Sequence, residues 1–120
     1  MNRTIETQKV AKQYFEAWTS RDTEKVKTFL DENLKFSFVA DGIFVLQGRE
    51  KFLSGEAWPD GVKVNLVSEA YQGYTAFQLY DAINGTATLR VGEKFVVRDG
   101  RISDIVFVTG QAAYAKFKAG

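Results

Sequence analysis

The chain of 120 residues contains no cysteine and no histidine, and only one proline and one methionine. Without cysteine there is no disulfide, no thiolate nucleophile and no thiolate metal site. Without histidine there is no imidazole base and no common transition-metal ligand. Serine triads and histidine-built zinc centres are therefore excluded, and proton transfer is left to Asp, Glu, Tyr or Lys. Neither a metal nor a cofactor is expected. No apolar run approaches a membrane span, and the opening Met-Asn-Arg-Thr-Ile-Glu has no apolar signal core, so no membrane association and a cytoplasmic location are expected. A formal net charge of +1, with basic residues alternating with acids, gives no reason to expect nucleic acid as a partner. Pro59 and the scattered glycines form no linker, so residues 1–120 are expected to be one domain.

What is present suits a globular domain. The chain is 45% hydrophobic and 26% charged, and is large enough to bury roughly two-thirds of its unfolded surface. From about Thr4 to Thr19, Ala11, Tyr14, Phe15 and Trp18 recur at spacings of three and four, which predicts an amphipathic helix. Asp22 is placed to cap a shorter helix carrying Val26, Phe29 and Leu30. Leu34 to Val39 alternates as a strand, turns at Ala40-Asp41-Gly42 and returns over Ile43 to Leu46. A third helix opens at Gly48 and ends near Gly55, and Trp58-Pro59-Asp60-Gly61 reads as a loop. Val62 to Tyr71 and Tyr74 to Ile83 form a hairpin around Gln72-Gly73. In that register Val62, Val64 and Leu66 face Ile83, Asp81 and Leu79, which puts Asp81 on an apolar face. Gln111 to Lys118 predicts a short terminal helix.

The stretch that organises the rest is the hairpin of Thr86 to Arg98 and Ile102 to Thr109, joined by Asp99-Gly100, a strong hairpin signal. In its first arm Ala87, Leu89, Val91, Phe95 and Val97 share one parity and should face the core, and Glu93 shares it. Burying that carboxylate costs several kcal/mol unless it is paired, protonated or beside water. Two registers are open. A two-residue type I′ loop pairs Arg98 with Arg101 and puts Glu93 on a face with Asp104 and Val106. A type I turn closed by a glycine bulge pairs Val97 with Arg101, Lys94 with Asp104 and Glu93 with Ile105. The second is preferred, because it replaces a like-charge pair by an opposite-charge pair and groups Ile105 and Phe107 with the core arm. It also puts Val96, Ile102, Val106 and Val108 on the outer face, an apolar patch that predicts a homodimer.

This order of elements predicts an α+β fold in which the helices lie to one side of a curved antiparallel sheet that curls over them and leaves a cavity between its concave face and the first helix. Phe36, Phe38, Trp58, Phe77, Leu79, Ile105 and Phe107 are its expected walls, with Trp58 also able to serve as a lid.

Val10-Ala-Lys-Gln-Tyr-Phe-Glu-Ala-Trp-Thr-Ser-Arg-Asp22, Gly48-Arg-Glu-Lys-Phe52 and Arg98-Asp-Gly-Arg-Ile-Ser-Asp104 together resemble the nuclear transport factor 2-like superfamily, and within it the SnoaL-like and ketosteroid-isomerase-like bacterial members. The resemblance implies a cone-shaped α+β barrel, a curved antiparallel sheet wrapped around the N-terminal helices, often a homodimer, with a pocket for a hydrophobic small molecule. Tyr14 matches the tyrosine with which ketosteroid isomerases help form an oxyanion hole, and Glu93 falls near their protonated acid. The position of their first-strand base falls on Phe38. The nearest carboxylate is Asp41, and Asp81 could act from another strand. Arg90-Val91-Gly92 lacks the acid of limonene-epoxide-hydrolase-like enzymes, Phe107 stands where a SnoaL-like cyclase would carry an acid, and the histidines of scytalone-dehydratase-like members are missing. Two functions follow as expectations. One is an isomerase, cyclase or dehydratase acting on an apolar carbonyl compound, with Tyr14 and neutral Glu93 holding an oxygen and Asp81 or Asp41 as base. The other is a non-catalytic dimeric ligand-binding or protein-association domain.

Overall fold

The computed structural model describes residues 3–39, 43–54 and 60–119. Helix α1 (Arg3–Thr19) and the short α2 (Thr23–Thr28) lead into β1 (Leu30–Val39), β2 (Ile43–Gln47) and α3 (Arg49–Leu53). Strands β3 (Lys63–Gln72), β4 (Thr75–Asn84), β5 (Ala87–Arg98) and β6 (Arg101–Val108) follow, with α4 (Gln111–Ala119) last. The fold is α+β: one curved, unclosed six-stranded sheet in the order β2-β1-β6-β5-β4-β3, with helices against it. Neighbouring strands run antiparallel except β1 and β6, which are parallel. Among the described residues, no helix is long and apolar enough to cross a membrane.

The helices form as their residue spacing predicts. On α1 the buried side chains are Thr7, Val10, Ala11, Tyr14 and Ala17, one stripe at helical period. Asp22 caps α2, its carboxylate accepting from the backbone N–H of Lys25 at 3.1 Å. That helix stops short of the expected Leu30, which instead opens β1 beside Ile102 and is fully buried.

Both long hairpins depart from the expected registers. The β3–β4 turn is Gly73-Tyr74, since Gln72 pairs with Thr75. Glycine in first place with positive φ is the pattern of a type II′ loop. This one-residue shift turns Ala76, Gln78, Tyr80 and Ala82 inward, all fully or almost fully buried, and Phe77, Leu79 and Asp81 outward. A bulge between Leu66 and Ser68 leaves Val67 unpaired with β4.

The β5–β6 turn is the two-residue form, with φ of 51° at Asp99 and 76° at Gly100, and Arg98 faces Arg101. The preferred pairings of Val97 with Arg101, Lys94 with Asp104 and Glu93 with Ile105 are replaced. The charge repulsion that argued against this turn is eased because the Arg98 guanidinium lies over the Tyr74 ring, 4.8 Å from its centroid. A bulge at Ser103, whose hydroxyl donates to the Val96 carbonyl at 3.4 Å, then shifts the register so that Phe95 meets Ile105 and Glu93 meets Phe107. Ile102 precedes the bulge and Ile105 and Phe107 follow it, so all three point inward. Ile102 is thus a core residue and drops out of the expected outer patch.

Two buried clusters result. One joins α1 and α2 to Leu30, Leu34, Phe95, Val97, Ile102 and Ile105. The other gathers Tyr80, Leu89, Val91 and Phe107 beneath Phe117 of α4, whose carbonyl accepts from Asn84 Nδ2 at 2.7 Å.

Candidate functional site

A cavity of about 450 Å³ lies between the clusters, within the concave side of the sheet. Helix α1 contributes Tyr14, Trp18 and Thr19; β1 contributes Phe36 and Phe38; β6 contributes Phe107. Phe52 and Leu53 of α3, Val62 and Val64 at the start of β3, Tyr80 of β4, Glu93 of β5 and Tyr114 of α4 complete most of the wall. The cavity opens where Arg21, Thr23 and Leu46, all exposed, form its rim. Arg21 has φ of 61° and pairs with Asp60 at 3.5 Å.

Glu93 is the acid that the described residues bring to this cavity. Alternation along β5 carries it inward between Val91 and Phe95, and it is 7% exposed. Tyr80 is 1% exposed on the neighbouring strand and donates its hydroxyl to Glu93 Oε1 in a short hydrogen bond. Glu93 has no Lys or Arg partner and no other hydrogen bond among the described residues. Burial raises its carboxyl from an ordinary 4.5 to about 7, and the Tyr80 hydrogen bond opposes this only in part. Tyr80 is itself pushed well above the usual phenol value, first by burial and then by Glu93. Tyr14 is 3% exposed and edge-on to Phe95 at 5.4 Å, and it is raised for the same two reasons, so its hydroxyl lies within electrostatic reach of Glu93.

Much of the remaining wall is aromatic. Trp18 and Tyr80 have ring centroids 5.2 Å apart. Across the cavity Phe36, Phe107, Phe38 and Tyr114 make a continuous run of ring contacts at 6.4, 5.0 and 5.6 Å.

The site residues expected from sequence are therefore divided. Tyr14, Glu93, Phe36, Phe38 and Phe107 line one cavity. Asp81 does not: the shifted turn puts it on the outer face, where Arg90 donates to both its oxygens at 2.8 and 2.9 Å and holds its carboxyl below the usual range. Phe77 is on that face too, 41% exposed, its ring over Gly92, where an added Cβ would come within 3.3 Å of it. Leu79 shares the outward parity, opposite Gly92. Ile105 is packed in the core behind the cavity. Asp41 and Trp58 lie outside the described residues.

Tyr80 and Tyr114 were not singled out from sequence. Tyr80 was legible in principle, because the glycine-first turn that sets β3 against β4 also brings it inward. Tyr114 was not, because where α4 folds back is settled by the burial of its Phe117 against Tyr80, Leu89 and Val91, which are far from α4 in sequence.

No protein-family model matches the chain, and no curated protein matches it by sequence. Solved structures do match by fold. A candidate ketosteroid isomerase from Kribbella flavida superposes with a TM-score of 0.81 at 20% identity, over 91% of this chain and 81% of that one. A candidate SnoaL-like polyketide cyclase from Jannaschia gives 0.82 at 11% identity, over 100% and 96%. An epoxide hydrolase from M. tuberculosis, described as LEH-like, gives 0.72 at 18%, over 97% and 91%. The chain has the nuclear transport factor 2-like fold, and at these identities the likeness speaks for fold alone.

Proposed function

We propose that this protein binds an apolar small molecule in the cavity and orients it through one polar group at Glu93. The observation that carries this is a 450 Å³ space with mainly aromatic and aliphatic walls, in which the buried carboxylate accepts from the Tyr80 hydroxyl and, among the described residues, has no cation beside it. Such a mixture, mostly apolar with a few convergent polar groups, is how small-molecule sites are built. Homodimerisation through the outer sheet face belongs to the same proposal, with exposed Phe77 and Val108 and half-buried Val96 and Val106 as its apolar patch.

One observation favours a second reading, isomerisation, cyclisation or dehydration of an apolar carbonyl compound. A carboxyl with a midpoint near 7 is poised to give or take a proton at neutral pH. That chemistry was expected to use a second carboxylate as base, and among the described residues none joins Glu93 in the cavity lining. Binding without turnover is the better supported of the two. The test is a screen of apolar ligands by melting temperature and calorimetry, repeated on Val64→Trp, which fills the cavity from the β3 side. Stabilisation in the native protein that is lost in the filled variant is the expected result. No stabilisation by any ligand would overturn it.

A further inference from the structure

The hydrogen bond from Tyr80 to Glu93 bears on which polar group the ligand carries. With the Tyr80 hydroxyl donating to one oxygen of the ionised Glu93, the second carboxylate oxygen keeps its acceptor lone pairs, and both residues line the cavity. A carbonyl oxygen would bring a further acceptor against them, whereas an N–H or O–H group would complement them. The surrounding rings select further. Their faces carry the negative side of the aromatic quadrupole, and Trp18 lines the same cavity in ring contact with Tyr80, the residue bonded to the carboxylate. Among the described residues the ionised carboxylate also has no counter-charge. Arg21, the basic residue of the lining, is at the rim and bonded to Asp60.

Resting on the reading of this cavity as a ligand site, we infer that its ligand is an apolar amine, bound as the cation with its ammonium against Glu93 and its body between the aromatic walls. The ligand supplies the counter-ion that the described residues do not. When Glu93 starts out neutral, binding moves its proton to solvent and leaves carboxylate and ammonium paired. Titratable groups that reach Glu93 are Tyr80 from β4 and Tyr14 from α1, and Tyr114 on α4 acts on Tyr80. The side chains facing it from β1 and β6, Phe36, Phe38 and Phe107, carry no charge. Proton release on binding would therefore report on Glu93.

Calorimetry with three probes of one shape separates the cases: β-naphthylethylamine, β-naphthylethanol and methyl β-naphthyl ketone. At a pH of about 8, where an alkylamine keeps its proton, the amine is expected to bind at least about tenfold more tightly than either neutral probe, and Glu93→Gln should erase the difference. In the unaltered protein near pH 6, buffers of different ionisation enthalpy should reveal proton release with the amine and not with the alcohol. This second measurement keeps the test intact if the variant folds poorly. Equal or tighter binding of the alcohol or ketone would overturn the amine assignment and leave the cavity reading standing. An amine preference that survives in Glu93→Gln, or binding without proton release, would also overturn it. Binding of none of the three would remove both.

Discussion

Strands β4 and β5 carry one carboxylate on each face of the sheet, and the two differ in every respect that governs a charge. Asp81 on the outer face is held by both forks of Arg90, reaches solvent and titrates below its ordinary range. Glu93 on the inner face has a tyrosine hydroxyl in place of a cation, is 7% exposed and is raised to about 7. The backbone is common to both, since Asp81 pairs with Arg90 and Gln78 with Glu93 in one antiparallel ladder. What separates a structural ion pair from a group available to a ligand is therefore water and a counter-ion, and alternation along the strand decides which acid receives them.

The largest way to break this contrast is to open the inner face. Phe95 is fully buried two residues from Glu93 along β5 and packs edge-on to Tyr14. Phe95→Ala should cost about 3–5 kcal/mol in chemical denaturation, by removing apolar contact and leaving a void.

Next comes the charge itself. The folded midpoint of Glu93, about 7, lies above the ordinary 4.5, so the folded state keeps its proton longer than the unfolded chain. Stability should thus fall as pH rises between these values, by an upper limit of about 3 kcal/mol, and level off above them. Glu93→Gln should flatten that decline, matching the parent near the acid end and exceeding it at mildly alkaline pH. A parent protein with no such slope would mean that Glu93 is hydrated.

Removing the Tyr80 hydroxyl is a smaller change. Tyr80→Phe deletes the donor that stabilises the ionised form, so Glu93 should titrate higher still and the protein lose about 1–3 kcal/mol, mostly where Glu93 is ionised. On the outer face Asp81→Asn should change the melting temperature little, and less in high salt, because the ion pair is exposed. An Asp81→Asn effect as large as that of Tyr80→Phe would erase the distinction between the faces.

How much of this was legible in sequence follows from which physics is local. Helical spacing put Tyr14 inward, and period-two alternation did the same for Glu93, with no knowledge of partners. The helix-before-sheet order gave the α+β class. Registers depend on turns and bulges instead, and one residue decides each. Reading the turn as Gln72-Gly73 placed Asp81 and Leu79 in the site, whereas Gly73-Tyr74 replaces them with Tyr80. The Arg98–Arg101 pairing looked unfavourable until the Tyr74 ring, from a different hairpin, was there to receive Arg98. The parallel meeting of β1 with β6 joins segments more than 60 residues apart, such as Leu30 and Ile102, which no local pattern announces.

The most direct test is a titration of the Glu93 side-chain carboxyl carbon by NMR. A midpoint near 7, falling when β-naphthylethylamine is added and unmoved by β-naphthylethanol, is the expected result. A midpoint near 4.5 in the free protein would contradict the account, because it would place Glu93 in water and leave the cavity without its buried charge.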